Sequence, residues 1–374
     1  MIRFLHTSDL HLGKPFGGFP EDVRARLRQA RQEVIARLAT AARGSGASHV
    51  LLAGDTFDQE TPAPTTIRHA LNAMRAAGDL TWILLPGNHD SLGASELWRG
   101  LAADRPDNVI LATAAAPVDL GGAMLLPAPC PVRHPGRDLT EWMDDAETGG
   151  AIRIGLAHGG VHDFRSGEDT GPGPAGVIAP DRAERAGLSY LGLGDWHGRL
   201  RIGPATWYSG TPEADSFKPH APAGALLVAV AAHGAPAEIT EVETGHLNWA
   251  RVGLDLVAGE DGAARHDAAL PPLAARAATL ADLVVTGRAS LGARAELVAA
   301  LQAAAPDFLW HRADLTGLAV SQDVTDLDRI ATGGALRRAA ETLAQEAEEG
   351  SDEAARRAAQ LALARLFEYR MEER

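Results

Sequence analysis

Five short clusters of polar residues interrupt the first half of the chain: Asp9-Leu-His11, Gly54-Asp55-Thr-Phe-Asp58, Gly87-Asn88-His89-Asp90, His158 in AHGG, and Asp195-Trp-His197 in GDWHG. Imidazole, carboxylate and amide oxygens are the ligand types of Mn, Fe, Zn and Mg. Asp9, His11, Asp55, Asn88, His158, Asp195 and His197 are more ligands than one catalytic ion with an open position needs. They fit two divalent ions that share a bridge. Within Asp9-x-His11 and Asp195-x-His197, alternating side chains can reach two different ions or two sides of one. Each cluster alone has an ordinary reading, as a buried core histidine, a helix cap or a turn. The ordered series does not.

The elements that must position these clusters follow from the apolar pattern. Strands are expected at Ile2–His6, His49–Ala53, Thr81–Leu85, Ile152–Ala157 and Tyr190–Leu193, and each runs straight into Asp, His or Asn. A further strand is expected at Ala225–Ala231. Residues 20–43 have the spacing of an amphipathic helix, with Val23, Leu27, Val34 and Leu38 on one side, and a second helix is expected over Thr65–Ala77. This alternation implies an α/β sandwich. Sites in such folds collect at the carboxyl ends of strands, so five clusters in equivalent positions would meet in space. Glu241–Trp249 reads as the exit from this domain. Beyond it, strands Leu283–Thr286 and Ala319–Ser321 around helix Gly292–Ala305 suggest a smaller α/β piece. An Ala-, Glu- and Arg-rich helical stretch over about 335–370 comes last, interrupted near Glu349–Ser351.

Composition removes several function classes. The 374 residues carry 35 Lys plus Arg against 49 Asp plus Glu, a formal charge of −14. Neither the first 245 residues nor the rest has a basic excess, so contact with nucleic acid must rest on a local patch. Cys130 is the single cysteine, which excludes a disulfide framework and a cysteine-ligated metal. No apolar run reaches the roughly 18 residues of a membrane span, and the amino terminus lacks the apolar core of a signal peptide. A cytoplasmic protein is expected.

The order of the clusters resembles the calcineurin-like metallophosphoesterase superfamily, whose motifs run DxH, GDxxD, GNHD/E, H and GHxH. The resemblance covers about residues 1–245. It implies a two-sheet sandwich flanked by helices, with Asp9, His11, Asp55 and His197 at a first metal and Asp55, Asn88, His158 and Asp195 at a second. His89 would be the catalytic histidine, with Asp90 and Asp58 orienting it and the ligands. Such an ion pair would acidify a shared water and neutralise charge on the phosphoryl oxygens, while His89 would protonate the leaving oxygen or stabilise its charge. Asp195 stands where the family has His. A third carboxylate favours Mn or Mg over Zn; the alternative is a degenerate second site.

A narrower resemblance, to SbcD-type DNA-repair nuclease subunits, rests on IRFLHTSDLHLGKPF, on YSGTPE at 208–213 and on the layout of the rest of the chain. It implies three parts: a nuclease domain over 1–245, a capping domain over 246–334 and a helical segment over 335–374 that docks on an SMC-like ATPase. DNA ends would be the substrate, and a homodimer is compatible with this layout. Tyr208 and Ser209 are candidate phosphate or base contacts, as are Arg24, Arg28 and Arg31 on one face of the first helix. The loop residues Arg133, His134 and Arg137 are a further candidate set, and Phe16 and Trp196 are candidates for base stacking. In the tail, Ala355, Ala359, Ala362, Leu366 and Tyr369 form an apolar stripe, with Leu363 and Phe367 beside it. The other substrate class open to the same metals is a phosphomonoester or small diester, which the acidic chain favours.

Overall fold

The computed structural model describes residues 1–162, 177–218, 222–321 and 324–372. It divides into two compact units, Met1–Leu247 and Asn248–Arg374.

In the first unit, β1 (Ile2–Thr7), β2 (His49–Leu52), β3 (Thr81–Leu84) and β4 (Val109–Leu111) run parallel in one sheet. A second sheet holds β5 (Val118–Asp119), β6 (Ala123–Ala128), β7 (Ile152–His158), β8 (Tyr190–Gly194), β9 (Leu200–Arg201) and β10 (Thr206–Tyr208), in the order β5-β6-β7-β8-β10-β9. The chain then returns to the first sheet as β11 (Gly224–Val230) and β12 (Glu238–Glu243), giving β12-β11-β1-β2-β3-β4. This is the two-sheet sandwich expected from the sequence.

Strands buried on both faces explain the uninterrupted apolar runs. Successive residues alternate between two cores: Leu5, Val50, Leu52, Trp82 and Leu84 pack outward, while Phe4, Leu51, Ile83 and Leu85 pack inward against Leu125, Ile154, Leu156 and Tyr190. Outside the first sheet lie α1 (Glu21–Gly44), α2 (Pro64–Ala76) and α3 (Ser95–Asp104). Helix α1 presents Val23, Leu27, Val34, Ile35 and Leu38 to the sheet, and Glu21 with Asp22 at its start and Arg43 at its end complement its dipole. The far side of the second sheet carries the short α4 (Arg182–Arg185) and a third core around Met143, Leu188 and Leu193.

The second unit is built on the parallel sheet β13 (Asn248–Leu256), β14 (Thr279–Ser290) and β15 (Trp310–Ser321). Between and after these strands come α5 (Gly262–Ala269), α6 (Leu273–Arg276), α7 (Leu291–Ala304), α8 (Val324–Ile330), α9 (Gly334–Glu349) and α10 (Glu353–Glu372). The tail stripe is divided by packing. Of its residues, Ala359 is buried, Leu366 half-buried, and Ala355, Ala362 and Tyr369 exposed, while Leu363 and Phe367 beside it are buried with Leu291, Ile330 and Ala340 of the same unit; Leu361 on the same helix is 53% exposed. The last two residues of the tail lie outside the described residues. No helix among the described residues is long and apolar enough to cross a membrane.

Candidate metal centre

The carboxyl ends of β1, β2, β3, β7 and β8 carry the five clusters, and the backbone there leaves its regular path. Asp9, His11, Asp55 and Asp195 have φ of 56°, 42°, 53° and 99°. Left-handed backbone is costly for residues other than glycine and concentrates at functional sites. It is held by cross-strand bonds: Asp9 N donates to Gly54 O (3.2 Å), His11 N to Asp55 O (3.0 Å) and Leu12 N to Thr56 O (2.9 Å). The β1 and β2 loops are thereby zipped together beyond the ends of their strands.

Glycines make room for the polar side chains. A Cβ on Gly87 would lie 2.1 Å from Asp55 Oδ1 and 2.4 Å from Asp55 N. One on Gly194 would meet Ala53 O at 2.0 Å and His158 Nδ1 at 2.8 Å. Gly87→Ala should therefore displace Asp55, costing about 1–3 kcal/mol or more and weakening metal uptake. Thermal melts with and without Mn check this: a variant with wild-type stability and an undiminished Mn-induced rise in Tm contradicts the close packing.

Asp55 sits at the middle of the cluster. Its Oδ2 lies 3.7 Å from His11 Nε2 and 3.5 Å from His158 Nε2, while Oδ1 accepts from His89 N at 2.9 Å. On one side, His11 Nε2 faces His197 Nε2 at 3.3 Å and Asp9 Oδ1 at 4.0 Å. On the other, His158 Nε2 faces Asp195 Oδ1 at 3.8 Å, and Asp195 accepts from Asn88 Nδ2 at 2.9 Å. Donor atoms about 2.0–2.2 Å from a shared ion stand about 3–3.5 Å apart, close to these separations. Asp9, His11 and His197 form one group able to hold an ion, and Asp9, Asp55 and His158 another.

Two orphaned atoms test the fit. Asn88 Oδ1 and His158 Nε2 are buried without a hydrogen-bond partner. His158 Nδ1 lies 2.8 Å from Ala53 O, which fixes one proton on Nδ1 and aims Nε2 at two carboxylates. Carboxylates drawn up to a buried imidazole nitrogen are costly unless a proton or a metal cation lies between them. The electrostatics agree. Burial raises the Asp55 carboxyl, but His158 and His11 outweigh it and hold it well below the usual range. Burial opposes charge on His158, yet Asp55 holds its pKa well above the ordinary value. The cluster draws positive charge into a buried site.

The residues expected to surround the ligands behave less uniformly. His89 Nδ1 lies 2.7 Å from the main-chain oxygen of Asp58 and donates to it, leaving Nε2 free for chemistry. The Asp58 carboxylate turns instead to His11 Nδ1 at 3.3 Å. Asp90 is fully buried and does not touch the His89 ring: it accepts from Gly87 N (2.7 Å) and Phe57 N (3.1 Å), tying the third cluster to the second. Burial and the nearby Asp55 push its carboxyl up to about 7, against those amide bonds. Asp90 therefore holds the loop that carries His89 and does not orient its ring by direct contact.

The expected phosphate contacts of YSGTPE are corrected by burial. Tyr208 is 2% exposed, and its hydroxyl donates to Gly159 O (2.8 Å) and accepts from Val161 N (3.1 Å). Ser209 is fully buried and shares its hydroxyl with Ser8 Oγ and Gly210 O. Neither is open to substrate. Arg24 and Arg28 are bound to Glu21 on the same helix. Arg31 is buried, not surface-lying: it reaches Asp9 O (3.3 Å), Leu10 O and the Asp215 carboxylate (3.0 Å). Phe16 is buried with Lys14 and Arg31 over its ring, and Trp196 packs on the third core.

Asp215 is a residue that motif reading missed. Its carboxylate meets His197 Nδ1 at 3.3 Å, Arg31 at 3.0 Å and Lys14 at 2.6 Å, and these cations hold its pKa well below the carboxylate range despite burial. A carboxylate behind a ligating histidine fixes its tautomer and basicity. The signal was available two residues beyond YSGTPE. Asp215→Ala should weaken binding of one Mn about 10–100-fold. Calorimetric titration checks it, and unaltered affinity at both sites contradicts the role.

Comparison with known proteins agrees with this geometry. Residues 2–175 match the calcineurin-like phosphoesterase family. This chain carries a calcineurin-like metallophosphoesterase domain. The chain is 27% identical over 244 residues to the uncharacterized metallophosphoesterase YhaO of Bacillus subtilis (strain 168), covering 61% of this chain and 57% of that protein. It is 32% identical over 93 residues to the SbcD subunit of the SbcCD nuclease of the same organism, covering 24% of this chain and 22% of that one. The chain thus spans little more than half the length of the first relative. Among solved structures, TT1561 of Thermus thermophilus aligns at 12% identity and TM-score 0.37 over 56% of this chain and 89% of its own. A calcineurin-like metallophosphoesterase is a metal-dependent hydrolase of phosphoester bonds.

Proposed function

We propose that this metallophosphoesterase domain hydrolyses phosphodiester bonds in DNA with two divalent ions, Mn foremost and Mg, Fe or Zn as alternatives. One observation carries the two-ion reading: a single carboxylate oxygen of Asp55 stands between two imidazole nitrogens at 3.7 and 3.5 Å, each backed by its own further donors. Asp9, His11, Asp55 and His197 would hold one ion, and Asp55, Asn88, His158 and Asp195 the other. When bound, the ions supply an acidified water and neutralise phosphoryl charge.

The chain's own residues do the rest. The bond from His89 to the Asp58 carbonyl fixes the tautomer whose free Nε2 can hold a proton for the leaving oxygen. Asp215 and Ala53 O orient His197 and His158. Asp90 keeps the His89 loop in place. The similarity to the SbcD nuclease chain supports DNA as substrate. It also supports an SMC-like ATPase partner, for which exposed Leu361 and Tyr369 on α10 offer a docking face.

The net charge of −14 favours a second reading, a phosphatase or small-molecule phosphodiesterase. Digestion of end-labelled single- and double-stranded DNA with Mn, run beside p-nitrophenyl phosphate, decides between them. Shortening of DNA that EDTA abolishes is expected. Turnover of the monoester alone selects the second reading.

The Asp195 site has its own test. Asp195→Ala should lose one of two bound Mn ions. Loss of both, or of neither, contradicts its placement beside His158 alone.

A further inference from the structure

A cavity of about 460 Å³ opens beside the second donor set, and Asn88, His158 and Asp195 form part of its lining. Ala128, Ala157, Val177 and Ile178 contribute an apolar wall. Arg133 and Arg137 also line it, from the exposed segment that follows β6. Neither arginine has a carboxylate partner among the described residues, whereas Arg182 and Arg185 of α4, which packs on the same sheet, are both held by Asp144. In a chain with an acidic excess, two guanidinium groups without a carboxylate among the described residues, at an apolar cavity, mark a place for an anion.

We propose that this cavity receives one unpaired nucleotide, with its scissile phosphate at the Asn88–His158–Asp195 end, its base against the apolar wall and its other phosphate on Arg133 and Arg137. This rests on the phosphodiesterase reading above and adds which part of the polymer the protein grips. The volume suits a single nucleotide. Apolar walls match the faces of a base, and guanidinium forks match phosphate bidentately. Arg133 and Arg137 thereby become specificity-determining residues: a diester with a second phosphate one sugar away is preferred over an isolated diester. Duplex DNA must surrender a terminal nucleotide to fill the cavity.

The test compares p-nitrophenyl esters that share one leaving group. One pair is thymidine 5′-(p-nitrophenyl phosphate) with and without a 3′-phosphate; the other is the 3′-ester with and without a 5′-phosphate. With Mn, the added phosphate is expected to raise kcat/KM about tenfold in one pair, as a charge-assisted contact would. The gain should vanish in Arg133→Ala/Arg137→Ala and return in part with lysine at both positions. Val177→Trp, which fills the cavity from a wall position at the surface, should raise KM for every ester. Calorimetry gives a second readout: thymidine 3′,5′-bisphosphate should bind more tightly than either monophosphate in the wild type and equally in the double alanine variant. Equal kcat/KM within both pairs, or a preference that survives in the double variant, overturns the proposal. If no ester turns over, the phosphodiesterase reading fails instead, and the calorimetric comparison still decides what the cavity binds.

Discussion

His89→Ala is expected to keep both metal ions and to slow cleavage of a DNA phosphodiester by about 10²–10⁴-fold. The expectation follows from the separation of roles in the third cluster. Asn88 supplies the open oxygen, and His89 supplies only its main-chain N–H to Asp55 Oδ1, a bond that alanine retains. The His89 ring is tethered at Nδ1 and offers Nε2, so on the proposed reading its removal should take away a proton donor and leave the ligands in place. A good leaving group needs little protonation. The defect should therefore be largest for DNA and smallest for a p-nitrophenyl diester. Metal content by mass spectrometry and kcat on both substrates check this. Wild-type rates on DNA contradict the role, and a loss of metal would move His89 among the ligands.

Asp55→Ala should have the other large effect: both ions lost, with affinity down by more than about 100-fold at each position. The reason is geometric, since one carboxylate oxygen serves both imidazole groups. Ligand linkage gives an independent readout. Mn at a hundred times its dissociation constant stabilises a folded protein by about 2.7 kcal/mol, which should appear as a rise in Tm of several degrees in the wild type and none in Asp55→Ala. Retention of one tightly bound ion in this variant contradicts a shared bridge.

The site was more legible in the sequence than the scaffold around it, for physical reasons. Strands β1, β2, β3, β7 and β8 are buried on both faces, so their apolar runs stop where the backbone leaves the sheet, and that is where a rigid fold can place polar side chains. Strands with weaker contrast were missed. β4 is three residues long, β6 ends in a Pro-containing stretch that reads as a loop, and β13 alternates exposed charge with partly buried positions. β14 and β15 extend over 12 residues each where short segments were expected, because Gly287, at φ 94°, and a bulge near Val284–Thr286 break the apolar pattern without ending the pairing.

Tertiary placement was the other blind spot. Arg31 shares a helical face with Arg24 and Arg28 by spacing, but one more turn along α1 carries it under the first cluster, where three main-chain oxygens and Asp215 receive it. Tyr208 and Ser209 look like surface-turn residues in isolation. The partners that bury them, Gly159, Val161 and Ser8, lie far away in sequence, and no local pattern announces such bonds.

The central claim is tested most directly by anomalous scattering from crystals soaked in Mn, with data collected on both sides of the manganese edge. Two peaks about 3.5–4 Å apart, one on either side of Asp55 Oδ2 and each within bonding reach of its own histidine pair or histidine–amide set, are the expected result. A single peak away from Asp55, or ordered His11, His158 and His197 rings with no peak among them at saturating Mn, would contradict it.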